Sequence, residues 1–154
     1  ARILLYQTTN GNRRQIDPSL KNGVPTMCRC SVDSDTLEIN MALGFFGGVG
    51  VNIKVYGKEY ASWFFQENDN AENLKANLFD TTFSNHVIVE NKGQYLVLDK
   101  QPDFKPGQQI AGYFTFTSAD YFEKKNKNID TISASGKIHF TCHPGQRIKN
   151  LERR

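Results

Sequence analysis

Alternation of apolar and polar residues is the dominant pattern in this chain. Leu37, Ile39, Met41 and Leu43 alternate with Glu38, Asn40 and Ala42. That is the period-two signature of a half-buried strand. Val49, Val51, Ile53 and Val55 repeat it, with Asn52 and Lys54 facing away. Phe45-Phe46-Gly47-Gly48 between them reads as a turn, because paired glycines reach positive φ at low cost. The two runs therefore predict a hairpin. Further on, Ile110, Gly112, Phe114 and Phe116 alternate with Ala111, Tyr113, Thr115 and Thr117. In the last strand Ile132, Ala134, Gly136, Ile138, Phe140 and Cys142 share one face. Ser133, Ser135, Lys137, His139 and Thr141 share the other.

The remaining segments are less regular. Ile3 to Tyr6 fits an edge strand, whereas Thr8 to Gly23 is polar and holds the turn signals Asn10-Gly11 and Asp17-Pro18. Residues 1–24 are therefore expected to be mostly loop, a mobile lead-in. Thr26 to Cys30 predicts a short strand, and Tyr60 to Gln66 an aromatic-rich one after a turn at Tyr56-Gly57-Lys58-Glu59. Asn70 as a cap, with Ala71, Leu74 and Leu78 at helical spacing, predicts a short helix within 68–79; a strand ending near Phe83 is the alternative. Val87-Ile88-Val89 and Tyr95 to Leu98 flank Asn91-Lys92-Gly93 and predict a second hairpin. Pro102 and Pro106-Gly107 make 101–109 a loop, and the lysine-rich stretch 123–128 a connection.

These elements predict one mainly β domain over residues 1–154, an antiparallel β-sandwich of seven or eight strands with at most one short helix. A partly open β-barrel is the runner-up. With 154 residues the chain buries a core without needing a metal. No apolar run approaches the roughly 18 residues of a membrane-spanning helix. Net charge is +3, but it is unevenly distributed. Residues 33–142 carry ten Lys/Arg against fourteen Asp/Glu. The ends are basic, through Arg13, Arg14, Lys21 and Arg29 and a tail over 143–154 with Arg147, Lys149, Arg153 and Arg154. Basic ends on an acidic body, with only Tyr6 near those charges for stacking, disfavour nucleic acid. They fit an acidic protein or an anionic surface better.

Candidate chemistry is sparse. Cys28 and Cys30 are separated by one residue, too close for a zinc knuckle or a thioredoxin-like pair. Cys142 continues the apolar face of the last strand. Cys28 and Cys30 share one face of a short strand, and either could reach Cys142. The expected disulfide joins Cys30, the one nearer the strong strand, to Cys142, with Cys28 as the remaining thiol. Three reduced thiols, or a metal cluster of Cys28, Cys30, Cys142 and His143, are the alternatives. His86, His139 and His143 match no metalloprotease spacing. Ser118 and Ser133 sit in no nucleophile elbow. Asp33, Asp35 and Glu38 lack the spacing of a calcium loop and read as a solvated entry to a strand. Asp99, Asp103 and Asp120 belong to loops or strand ends. No catalytic residue, metal site or cofactor is assigned. Trp63, Phe64 and Phe65 are consecutive, so one face of that strand is either covered or exposed. Tyr60, Trp63 and Phe64 are the expected ligand-binding residues.

Gly112-Tyr113-Phe114-Thr115-Phe116-Thr117 and Ser135-Gly136-Lys137-Ile138-His139-Phe140 resemble the closing strands of small exported bacterial β-sandwich proteins, often lipoproteins of unknown function. Val55-Tyr56-Gly57 to Trp63 is similar to an early element of that group, without its Asn. The lipid-bearing first cysteine is also missing, since Ala1-Arg2-Ile3 opens the sequence; no signal peptide is visible, as is expected of a mature exported protein. The resemblance implies a sandwich fold and an envelope location, and no functional residue. The expectation is a non-enzymatic binding or structural domain of the bacterial cell envelope, periplasmic or extracellular, recognising a protein or surface ligand. The alternatives are a hydrolase or metal enzyme using His86, His139 or His143, a nucleic-acid binder using the basic ends, and a cytoplasmic location.

Overall fold

The structure, a computed structural model, describes residues 2–16, 26–43 and 48–146. Among the described residues, twelve strands form one sheet. They are β1 (Arg2–Thr9), β2 (Asn12–Ile16), β3 (Thr26–Asp33), β4 (Thr36–Leu43), β5 (Gly48–Tyr56), β6 (Glu59–Glu67), β7 (Leu74–Lys75), β8 (His86–Leu98), β9 (Ile110–Ser118), β10 (Tyr121–Lys125), β11 (Asn128–Cys142) and β12 (Gly145–Gln146). The order along the sheet is β12-β3-β4-β5-β6-β8-β9-β11-β1-β2, with β10 and β7 attached beside β11. Every pairing is antiparallel except the short one of β12 with β3. The expected sandwich of seven or eight strands is therefore corrected to one curled, half-barrel sheet.

The strand β8 explains the correction. Its first half, to Glu90, pairs with β6, and its second half, from Asn91, pairs with β9. The register shifts between Asn91 and Gly93. Asn91-Lys92-Gly93 is therefore a bulge inside one strand, not the turn of a hairpin. Bulges bend the strand that carries them and sharpen its twist. The one sheet thus continues through β8 from the β3–β6 flank to the β9–β11–β1–β2 flank, where a sandwich would have two separate sheets. Asn91 is held at the bend, where its Nδ2 donates to Ser62 Oγ at 2.8 Å.

The curl brings the inner faces of the two flanks together. Leu37, Ile39, Met41, Val51, Ile53 and Phe64 on one side meet Ile110, Phe114, Phe116, Ile132 and Ile138 on the other, in a single buried cluster. Phe64 stacks on Phe116 with ring centroids 6.1 Å apart, and lies 5.7 Å from the ring of Tyr121. Gly136 and Gly112 face this core without side chains because there is no room for one. A Cβ on Gly136 would lie 2.6 Å from Leu5 Cδ2, and one on Gly112 2.6 Å from Phe140 Cζ.

No helix forms among the described residues, so none is long and apolar enough to cross a membrane. The segment expected to be helical, 68–79, has no apolar stripe to bury. Leu74 is buried, but Leu78 is 52% and Phe79 is 89% exposed. Its asparagines bond locally instead, one of them to the backbone. Asn77 Oδ1 accepts from the Phe79 amide at 3.0 Å, and Asn68 Nδ2 donates to Asn73 Oδ1 at 2.8 Å. Lys75, itself buried, donates from Nζ to the carbonyls of Leu78 and Asp80 and fixes the loop. The lead-in also differs from expectation. Residues 2–16 form the β1–β2 hairpin around Asn10 and Gly11, both at positive φ. Residues 17–25, the expected turn at 45–47 and the tail from 147 lie outside the described residues.

Candidate functional site

Cys30 and Cys142 form a disulfide with a Cα separation of 6.1 Å, and Cys28 is a free, half-buried thiol. Burial pushes the Cys28 thiol above its ordinary pKa, which lowers its reactivity at neutral pH. The bond links β3 to β11 and so ties one flank of the sheet to the other. It also removes Cys30 and Cys142 from any metal cluster with His143. Among the described residues no group of three or more His, Cys, Asp or Glu is placed to hold a metal ion.

The histidines are dispersed. His139 packs on the ring of Tyr113 at 4.6 Å on the outer face, and His143 is exposed. His86 Nδ1 contacts Ser84 Oγ at 3.2 Å and Asn85 Oδ1 at 3.1 Å. Both contacts fall on one ring nitrogen. That is local turn geometry, not a base held between a nucleophile and a carboxylate. Ser118 Oγ is committed to the backbone, accepting from the Ala134 amide and donating to the Ala119 carbonyl. Asp33 and Glu38 line a small surface recess with Lys54, and Asp35 accepts from Thr36 Oγ1. Asp99 and Asp103 accept backbone amides at Ala111 and Lys105.

The expected binding trio does not share a surface. Phe64 is in the core at 1% exposure, and Tyr60 lies on the same side, packed against that core. Trp63 points to the opposite, outer face, with the Lys54 ammonium 5.9 Å from its ring. Strand alternation separates Trp63 from Phe64. Of the basic residues expected to form one patch, the described arginines lie apart, on the two flanks, and the others fall outside the described residues. Arg13 lies on the edge hairpin, Arg29 on the other flank, and Lys21 and the tail arginines fall outside the described residues.

A different surface gathers chemistry. The outer face of β1, β11, β9 and β8 holds an open groove of about 530 Å³. Strand register sets its floor. Tyr6, Ser135, Thr117 and Gly93 form one row across the four strands, and Lys137, Thr115 and Tyr95 lie in the next. The floor is thus short hydroxyl side chains and a glycine. Tyr6 stands at one end with the Arg13 guanidinium 3.8 Å over its ring. Tyr95 stands at the other, 59% exposed. Groove-lining residues include Arg13 and Lys137 and no carboxylate.

The charge pattern extends beyond the groove. β1, β2, β9, the second half of β8 and β11 from Ile132 onward contain Arg2, Arg13, Arg14, Lys92 and Lys137 but no Asp or Glu. On the other flank β3 to β6 hold Asp33, Glu38, Glu59 and Glu67. The alternation along the sequence already placed Thr115, Thr117, Ser135 and Lys137 on outward faces. Their convergence with Tyr6 and Tyr95 depends on the strand order β1-β11-β9-β8, which a single sequence does not reveal. The sequence matches no family model, and no curated protein or solved structure matches it.

Proposed function

We propose that this chain is a non-enzymatic binding domain of the bacterial cell envelope, and that the groove on the outer face of β1, β11, β9 and β8 takes a surface ligand. The observation that carries the reading is the groove itself. Two aromatic rings and two cations frame a hydroxyl-lined floor, with no carboxylate among the groove-lining residues. Exposed tyrosines and arginines are the side chains that concentrate binding energy at recognition surfaces. The Cys30–Cys142 disulfide supports an exported location, because such bonds persist in oxidising compartments. The bacterial envelope in particular rests on the resemblance of the closing strands.

Cosedimentation with purified bacterial envelope fractions tests this. The wild-type chain is expected to pellet with envelope material. The double variant Arg13→Ala/Tyr95→Ala is expected to lose roughly tenfold in affinity, about 1.4 kcal/mol. Trp63→Ala, on the other flank, is expected to behave as wild type. Equal retention of the double variant would refute the groove as the site, and loss of binding in Trp63→Ala alone would move it to the β4–β6 face.

A further inference from the structure

We infer that the groove binds an acidic polysaccharide, a hydroxylated chain bearing carboxylates, and this rests on the groove being the binding site. Charge complementarity is the first argument. Arg13 and Lys137 line the groove and no acidic side chain opposes them. A guanidinium grips carboxylates in a planar fork, and its stacking on Tyr6 fixes the orientation of that fork. Lys137 supplies a second, point-like charge beside Thr115.

The floor is the second argument. Thr115, Thr117 and Ser135 each present a hydroxyl that both donates and accepts, which matches the hydroxyls of a sugar. Tyr95 offers an open ring face against the apolar C–H side of a sugar ring. Size is the third argument. Tyr6 and Tyr95 stand three strand intervals apart, roughly 14 Å at the usual interstrand spacing. That exceeds a single sugar ring, so the ligand is a chain of several.

Single-stranded nucleic acid, the other anionic chain, fits less well. It is held by successive free aromatic faces along a cationic track. Here Arg13 covers one face of Tyr6, and His139 packs on Tyr113, the next aromatic on this side of the sheet. Among the described residues lining the groove, Tyr95 alone remains open, and Arg13 and Lys137 are the positive charges.

The test is calorimetric titration of the full chain at low salt with three probes. They are an oligogalacturonate, the same oligomer fully methyl-esterified, and oligothymidylate. The oligogalacturonate is expected to bind at least tenfold more tightly than its ester. Arg13→Gln and Lys137→Gln are each expected to weaken it about tenfold, with circular dichroism unchanged and Trp63→Ala unaffected. Equal binding of acid and ester would overturn the claim of charge recognition. Binding of oligothymidylate with no binding of the uronate would replace the polysaccharide by nucleic acid. If no probe binds while groove-dependent envelope retention persists, the ligand class is wrong and the site stands. If that retention is absent too, both readings fall.

Discussion

Replacing Cys30 and Cys142 by serine is expected to lower stability by roughly 4–5 kcal/mol, the chain-entropy value for a loop of about this length. The bond closes 112 residues of sequence separation. It also acts where the sheet has least else. Between β3 and β11 the hydrogen-bonded link is the short β12, which pairs at Gly145 and Gln146. Without the bond, the two flanks hold together through side-chain packing and through the bend in β8. For a chain of this size each kcal/mol corresponds to about 2–4 °C, so the melting temperature should fall by roughly 10–15 °C. Thermal unfolding followed by circular dichroism, in a Cys28→Ser background to prevent exchange, measures it. A shift below about 2 °C would mean that the packing between flanks closes the sheet unaided.

Alkaline unfolding should be governed in part by Tyr121, and Tyr121→Phe is expected to flatten it. The ring is fully buried beside Phe64, and its hydroxyl donates to Gln66 Oε1 at 2.6 Å. Burial pushes its pKa up to about 12, a hydrogen bond with Gln7 pulls it down, and the Glu123 charge adds a smaller upward push. The ordinary value is 10.0. Above that pH the unfolded chain loses this proton while the folded chain keeps it. Stability contributed by the neutral phenol is therefore intact below about pH 10 and is lost between about 10 and 12. The slope is roughly 1.4 kcal/mol per pH unit, or between 2 and 3 kcal/mol in total. At neutral pH the variant should be less stable, because Gln66 Oε1 loses its donor at a cost of about 1–3 kcal/mol. Urea titrations from pH 8 to 12 on both proteins separate the two effects. An identical pH slope in the variant would show that Tyr121 does not carry this dependence.

Period-two patterning identified the strands 37–43, 49–55, 110–117 and 132–142, because each buries one face and leaves the other in water. The same periodicity points Cys142 inward, and nearness to the strand 37–43 favours Cys30 over Cys28, which shares its face, as the partner. Cys142 continues the inward set of Ile138 and Phe140, and Cys30 lies upstream on a short strand opposite Ile39. What failed depended on tertiary context. Asn91-Lys92-Gly93 has the chemistry of a turn, yet Asn91 is buried against Ser62 and the chain continues as a bulged strand. Leu74 and Leu78 have helical spacing, but only Leu74 finds a core to enter. For Tyr60, Trp63 and Phe64, alternation shows that Trp63 and Phe64 face opposite sides, but which side enters the core depends on the sheet around them. Nothing in the sequence marks Tyr95 as a site residue, because its significance lies in which strands flank it.

The central claim is that ligand engages the groove on the outer face of β1, β11, β9 and β8. Amide hydrogen exchange, compared for the free chain and the chain bound to bacterial envelope fractions, tests it most directly. The account predicts slower exchange in peptides covering the β1–β2 hairpin and residues 91–98, with peptides covering Glu59–Glu67 unchanged. Protection over β4 to β6, with none over the hairpin or residues 91–98, would contradict it.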